Sequence, residues 1–141
     1  MAEGILKHKL AGLEQKLNVK VESRGVRVPI AGLKADPRAV RVSQQRGVDL
    51  RKMRTRQLKL KELMRADYVL VMSERHLQVL GEMCDGEKPS NASIITVFSP
   101  AGLSDQEVPD PYYSNDQGFS AVFDLLSASL DGFISHLQMQ K

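Results

Sequence analysis

Asp67-Tyr68-Val69-Leu70-Val71-Met72 carries the strongest structural signal in the chain. Apart from Asp67 it is an unbroken apolar run, too short for a globular helix and without polar alternation. That pattern marks a strand covered on both faces rather than one facing water. Ser73 follows at once and can accept a backbone N–H of a helix start, so a helix is predicted from Ser73 through about Met83. Beyond it, Ile94-Ile95-Thr96-Val97-Phe98 reads as a second buried strand. Two strands joined by a helix argue for parallel pairing, because a parallel partner needs a crossover of a dozen or more residues.

On the N-terminal side, Leu58–Arg65 predicts a short helix. Asp36-Pro37 opens another, with Asp as cap and Pro in the first turn, and Gly47 closes it. Val19-Lys20-Val21-Glu22-Ser23 alternates and predicts a short strand. Residues 2–17 place Ile5, Leu6, Leu10, Leu13 and Leu17 at helical spacing. Phe119, Val122, Phe123, Leu126, Leu130, Phe133, Ile134 and Leu137 give the final helix a sustained apolar face. The expected class is α/β, a three-layer α/β/α arrangement around a small parallel sheet. Such folds normally open with a strand, and this chain opens with a helix.

A length of 141 residues suits one domain spanning residues 1–141, and 42% hydrophobic with 26% charged residues is ordinary for a globular protein. No apolar run is long enough for a membrane span, and Met1-Ala2-Glu3-Gly4 lacks the layout of a signal peptide. Cys84 is the one cysteine, which precludes an intramolecular disulfide and suggests a cytoplasmic setting. Residues 1–70 carry 17 Lys and Arg against seven Asp and Glu, whereas residues 71–141 carry three against ten. Two complementary halves of one domain account for this split, and an anionic ligand would also suit the basic half. The Arg46–Arg65 stretch has eight bases, but no Phe or Trp interleaves with them, which argues against nucleic acid. His8, His76 and His136 lack ligand spacing, so neither a metal nor another cofactor is expected.

The chemistry concentrates in Asp110-Pro111-Tyr112-Tyr113. Pro111 fixes its own φ and restrains Asp110 to extended geometry, so the carboxyl is presented from a stiff loop. An acid so held suits protonation of an aryl leaving group, and two Tyr rings can wall a slot for a flat substrate. Asp-Pro is also common turn chemistry, which is the structural alternative.

Together with Gly32, Asp36-Pro37-Arg38-Ala39, Gly47-Val48-Asp49-Leu50, Arg54-Thr55-Arg56-Gln57-Leu58 and Asp67–Met72, this segment resembles the low-molecular-weight protein tyrosine phosphatase family, in order and spacing along essentially the whole chain. In that family a first strand runs into a loop of the form Cys, five residues, Arg, Ser, Pro. Its backbone N–H groups and Arg bind the phosphate, and the Cys thiolate attacks phosphorus. The resemblance implies that Asp110 is the general acid and that Tyr112 and Tyr113 line the substrate slot. It implies phosphotyrosine protein or another aryl phosphate as substrate.

Met1-Ala2-Glu3-Gly4 resembles the helix turn just after that loop, so the nucleophile, the Arg and the first strand are expected to lie outside these residues. Cys84 does not match: Ser90 stands six residues on, and Glu82, Asp85 and Glu87 surround it. Arg46 stands where the family usually has His, and Val28-Pro29-Ile30 where it commonly has an aromatic, whereas Ser23 matches a bracing hydroxyl. The 141 residues by themselves are expected to be inactive, with non-catalytic binding of phosphorylated or acidic partners as the alternative. The missing strand would lie between Val19–Ser23 and Tyr68–Met72. Its absence leaves those strands to pair directly or backbone groups unpaired, at about 1–3 kcal/mol each when buried.

Overall fold

The computed structural model describes residues 1–104 and 106–140. Its elements are α1 (Ala2–Ala11), α2 (Pro37–Gln45), α3 (Leu60–Arg65), β1 (Val69–Val71), α4 (Glu74–Met83), β2 (Ala92–Ile94) and α5 (Asp116–Met139). Two 3-10 turns, Ile95–Phe98 and Pro111–Tyr113, precede α5.

Around Asp67–Met72, expectation and structure agree. β1 and β2 pair in parallel with Val69 opposite Ala92 and Val71 opposite Ile94, and α4 is the crossover. Ser73 caps α4 by accepting the His76 N–H. Residues of β1 face alternate ways: Tyr68, Leu70 and Met72 pack on the cluster built from α1, α2 and α5. Val69 and Val71 belong with Leu63, Leu77, Leu80 and Ala92, under α3 and α4. Both faces are thus covered, which is why the sequence of this strand shows no polar period. Asn91 fixes the near end of β2 by donating to the Leu63 and Ala66 carbonyls at the close of α3, at 3.0 and 2.8 Å.

Helix α5 is the spine of the larger cluster. Phe119, Val122, Phe123, Leu126, Leu130, Phe133 and Ile134 meet Ile5 and Leu6 of α1, Ala39 and Val42 of α2, and Val48 and Leu50 beyond it. Its apolar face matches the sequence reading.

Three local expectations are corrected. α1 stops at Ala11, where the Gly12 N–H turns back to the Lys9 carbonyl and the Leu13 N–H to the Leu10 carbonyl; Leu13 and Leu17 still pack on the core from irregular chain. Val19–Ser23 keeps its alternation but forms no strand. A strand needs a neighbour for its ladder, and the Ser23 N–H is taken instead by the Glu3 carboxylate. Only the first residue of Ile94–Phe98 is strand; the rest tightens into a 3-10 turn whose Phe98 carbonyl lies against α5. A Cβ on Gly132 would sit 1.7 Å from that oxygen, so the approach exists because residue 132 has no side chain.

Candidate active site

Asp110 adopts extended backbone (φ −81°, ψ 115°), as the following Pro111 demands, and caps the 3-10 turn after it. Its Oδ1 accepts the Tyr112 N–H at 3.0 Å, so one carboxyl oxygen holds the loop while the residue stays exposed to solvent. Tyr112 and Tyr113 meet edge to face with centroids 4.9 Å apart. Tyr113 is 94% exposed and Tyr112 59%, so the pair stands proud of the body as an aromatic rim beside Asp110. The three residues singled out in the sequence therefore share one 3-10 turn.

What holds this turn against the rest of the molecule is Arg38. Asp36 caps α2 by accepting the Arg38 N–H at 2.8 Å, and Pro37 occupies the first turn. The Arg38 guanidinium then forks back onto the same Asp36 carboxylate, Nε to Oδ1 at 3.1 Å and Nη2 to Oδ2 at 2.9 Å. Its remaining N–H groups cross to the acid loop: Nη2 donates to the Tyr112 carbonyl and Nη1 to the Ser114 carbonyl, each at 2.9 Å. The Phe119 ring lies 4.7 Å below the guanidinium carbon and the Tyr112 ring 5.8 Å from it. Hydrogen bonds from Arg38 hold the Asp36 carboxyl below the usual aspartate range, and the same bonds keep the guanidinium charged.

A second fork stands one turn along. Arg41 grips Asp116 with Nε and Nη2 at 2.9 and 2.7 Å, and these bonds lower the Asp116 pKa. Asn115 caps α5 by accepting the Gly118 N–H. A Cβ on Gly118 would meet Ser114 Oγ at 2.0 Å, so glycine is what lets the loop close over the helix start.

Other predicted positions fall elsewhere. Ser23 donates its hydroxyl to Glu3 Oε1 at 2.5 Å, and Lys7 pairs with the other Glu3 oxygen at 2.7 Å. Burial favours a protonated Glu3, but the Lys7 and Ser23 bonds together outweigh it and lower the pKa. Glu3, Lys7, Val19, Val21, Arg24 and Arg56 border an open cleft of about 410 Å³ that none of Asp110, Tyr112 and Tyr113 lines. Arg46 pairs with Asp124 at 3.3 Å and lies over Phe123, tied to α5. Val28–Ile30 is pinned by side chains imitating a strand: Gln57 accepts the Val28 N–H, and Thr55 donates to the Ile30 carbonyl while accepting the Leu33 N–H. Cys84 terminates α4, half-buried. No cluster of metal-binding side chains occurs among the described residues.

Sequence reasoning did not single out Arg38. The cap sequence Asp36-Pro37-Arg38 was legible, but its partners are 74 and 76 residues away and are backbone oxygens, which leave no compositional trace.

The family model described as low molecular weight phosphotyrosine protein phosphatase matches residues 1–141. The low molecular weight protein-tyrosine-phosphatase Wzb of Escherichia coli K12 is 32% identical over 111 residues, covering 79% of this chain and 71% of the relative. Among solved structures, a protein tyrosine phosphatase from Entamoeba histolytica superposes with a TM-score of 0.88 at 24% identity, covering 99% of this chain and 88% of that one. A low molecular weight protein tyrosine phosphatase from T. tengcongensis aligns with a TM-score of 0.78 at 30% identity, over 96% and 88% of the two chains. Matched along its full described length in sequence and in fold, the chain belongs to the low molecular weight phosphotyrosine protein phosphatase family.

Proposed function

We propose that residues 1–141, as one domain, supply the leaving-group half of a phosphotyrosine phosphatase site, with Asp110 as general acid and Tyr112 and Tyr113 walling the slot for the aryl ring. The observation carrying this reading is the exposed carboxyl of Asp110, one oxygen of which accepts the Tyr112 N–H, on the same turn as the exposed Tyr112 and Tyr113 rings. A proton delivered from the other oxygen neutralises the phenolate as the P–O bond breaks, and the same carboxylate can then take a proton from attacking water. The substrate class is protein phosphotyrosine or a smaller aryl phosphate, met in the cytoplasm. Cys84 ends a helix between Met83 and Asp85, without an Arg six residues on, so it does not serve as the nucleophile.

Grafting a family strand and Cys-x5-Arg-Ser-Pro loop ahead of Met1 tests the assignment. Hydrolysis of an aryl phosphate is expected in the graft, and Asp110→Asn is expected to lower kcat about 10²- to 10⁴-fold. An active graft indifferent to Asp110→Asn contradicts it.

A second reading, non-catalytic binding of phosphorylated or acidic partners, draws on a separate observation. Arg27, Lys34, Lys52, Arg54, Arg56, Lys59, Lys61 and Arg65 make no ion pair with a described residue. Bridges between Gly25 and Gln57 and between Lys34 and Arg54 bring their segments together. This reading predicts salt-sensitive binding of an acidic phosphotyrosine peptide by the 141-residue chain; no binding at low salt removes it.

A further inference from the structure

We infer that Arg38 is the positioning residue of the acid loop: its guanidinium sets the direction in which the 110–114 turn presents Asp110 and Tyr112. The inference rests on the reading of Asp110 as the acid only for its catalytic meaning; the mechanical claim stands on geometry.

Four features single out Arg38 from the other surface arginines. It donates to two consecutive-but-one carbonyls, Tyr112 and Ser114, which bracket the exposed Tyr113. The fork on Asp36 fixes the guanidinium plane before it reaches the loop, so the loop meets an immobilised donor set rather than a free side chain. Asp36 is itself the cap of α2, so the orientation is referred to a helix start packed on the core through Ala39 and Val42. Phe119, the first buried residue of α5, closes the underside of the guanidinium. Arg38 thus joins the body of α2, the acid loop and the root of α5 at one planar group. Arg41, by contrast, reaches only the Asp116 carboxylate among the described residues, beyond the loop.

Lysine cannot replace this arrangement. A single ammonium has no fixed fork, and it cannot satisfy Asp36 in two directions while spanning the Tyr112 and Ser114 oxygens. Loss of the guanidinium therefore frees the turn without unfolding the helices on either side of it.

The test follows backbone amides of residues 110–115 by NMR in the 141-residue chain, with β1 and the centre of α5 as folding controls. Arg38→Met keeps the aliphatic stem over Phe119, and Arg38→Lys keeps the charge. Both are expected to move or broaden the Tyr112, Tyr113 and Ser114 signals while the controls stay in place. In an Arg38→Gly variant, millimolar ethylguanidinium is expected to restore the wild-type signals and ethylammonium is not, a difference a general structural defect does not produce. Unchanged loop signals in Arg38→Met, or full restoration by lysine, overturn the inference. Asp110→Asn is the separating control. It keeps an acceptor for the Tyr112 N–H, so its loop signals are expected to persist, and an error about the acid role leaves the Arg38 result intact.

Discussion

At the scale of single residues, the site depends on how two carboxylates are occupied. Asp110 spends one oxygen on its own loop, and Asp36 spends both on Arg38. The pH behaviour of the Arg38–Asp36 and Arg41–Asp116 pairs follows from the shifts of the two carboxyls. Both carboxyls are held below the ordinary value of 3.8 by their arginine partners, so folding favours their charged forms. The stabilisation they supply is fully present above that value and is lost as pH falls through the lower folded values. Backbone amide signals of Arg38, whose N–H is held by Asp36, and of Asp116 are therefore expected to hold constant between pH 5 and 8 and to change only below about pH 4. A transition near neutrality in those signals contradicts this account. At this scale the sequence offers residue types but not long-range partners. Asp110, Pro111 and the two tyrosines carry their chemistry in their types, whereas the role of Arg38 is decided by carbonyls that any residue could have supplied.

At the scale of elements, legibility followed how locally each element is stabilised. α2 and α4 begin where Asp36 and Ser73 said they would, because a cap is a contact between near neighbours. β1 was legible because burial on both faces leaves an uninterrupted apolar run. Val19–Ser23 and Ile95–Phe98 were misread because extended structure needs a partner strand, and a partner cannot be seen in the segment itself. For the second segment the competing contact is the packing of the Phe98 carbonyl on Gly132. Gly132→Ala places a methyl carbon 1.7 Å from that oxygen and is expected to destabilise the fold by about 1–3 kcal/mol or more, read as a lowered denaturation midpoint. A midpoint equal to wild type means that α5 and the 95–98 turn are not in register as described.

At the scale of the whole molecule, the two-stranded sheet divides a large cluster under α1, α2 and α5 from a smaller one under α3 and α4. The acid loop lies on the side of the larger cluster, fastened to α2 by Arg38 and followed directly by α5. Among the described residues only one edge of β1 is paired, and the segment expected to approach the other edge, Val19–Ser23, stays irregular. An open edge of this kind is a site where other strands add. No helix among the described residues is long and apolar enough to cross a membrane. On the proposed role of Asp110, this scaffold holds a leaving-group acid where it can protonate the departing phenolate. A comparison of kcat/KM for the grafted chain and its Asp110→Asn variant across aryl phosphates of increasingly basic phenols decides whether it does. A deficit in the variant that widens as the leaving phenol becomes more basic is expected; a ratio that stays flat across the series contradicts the proposal.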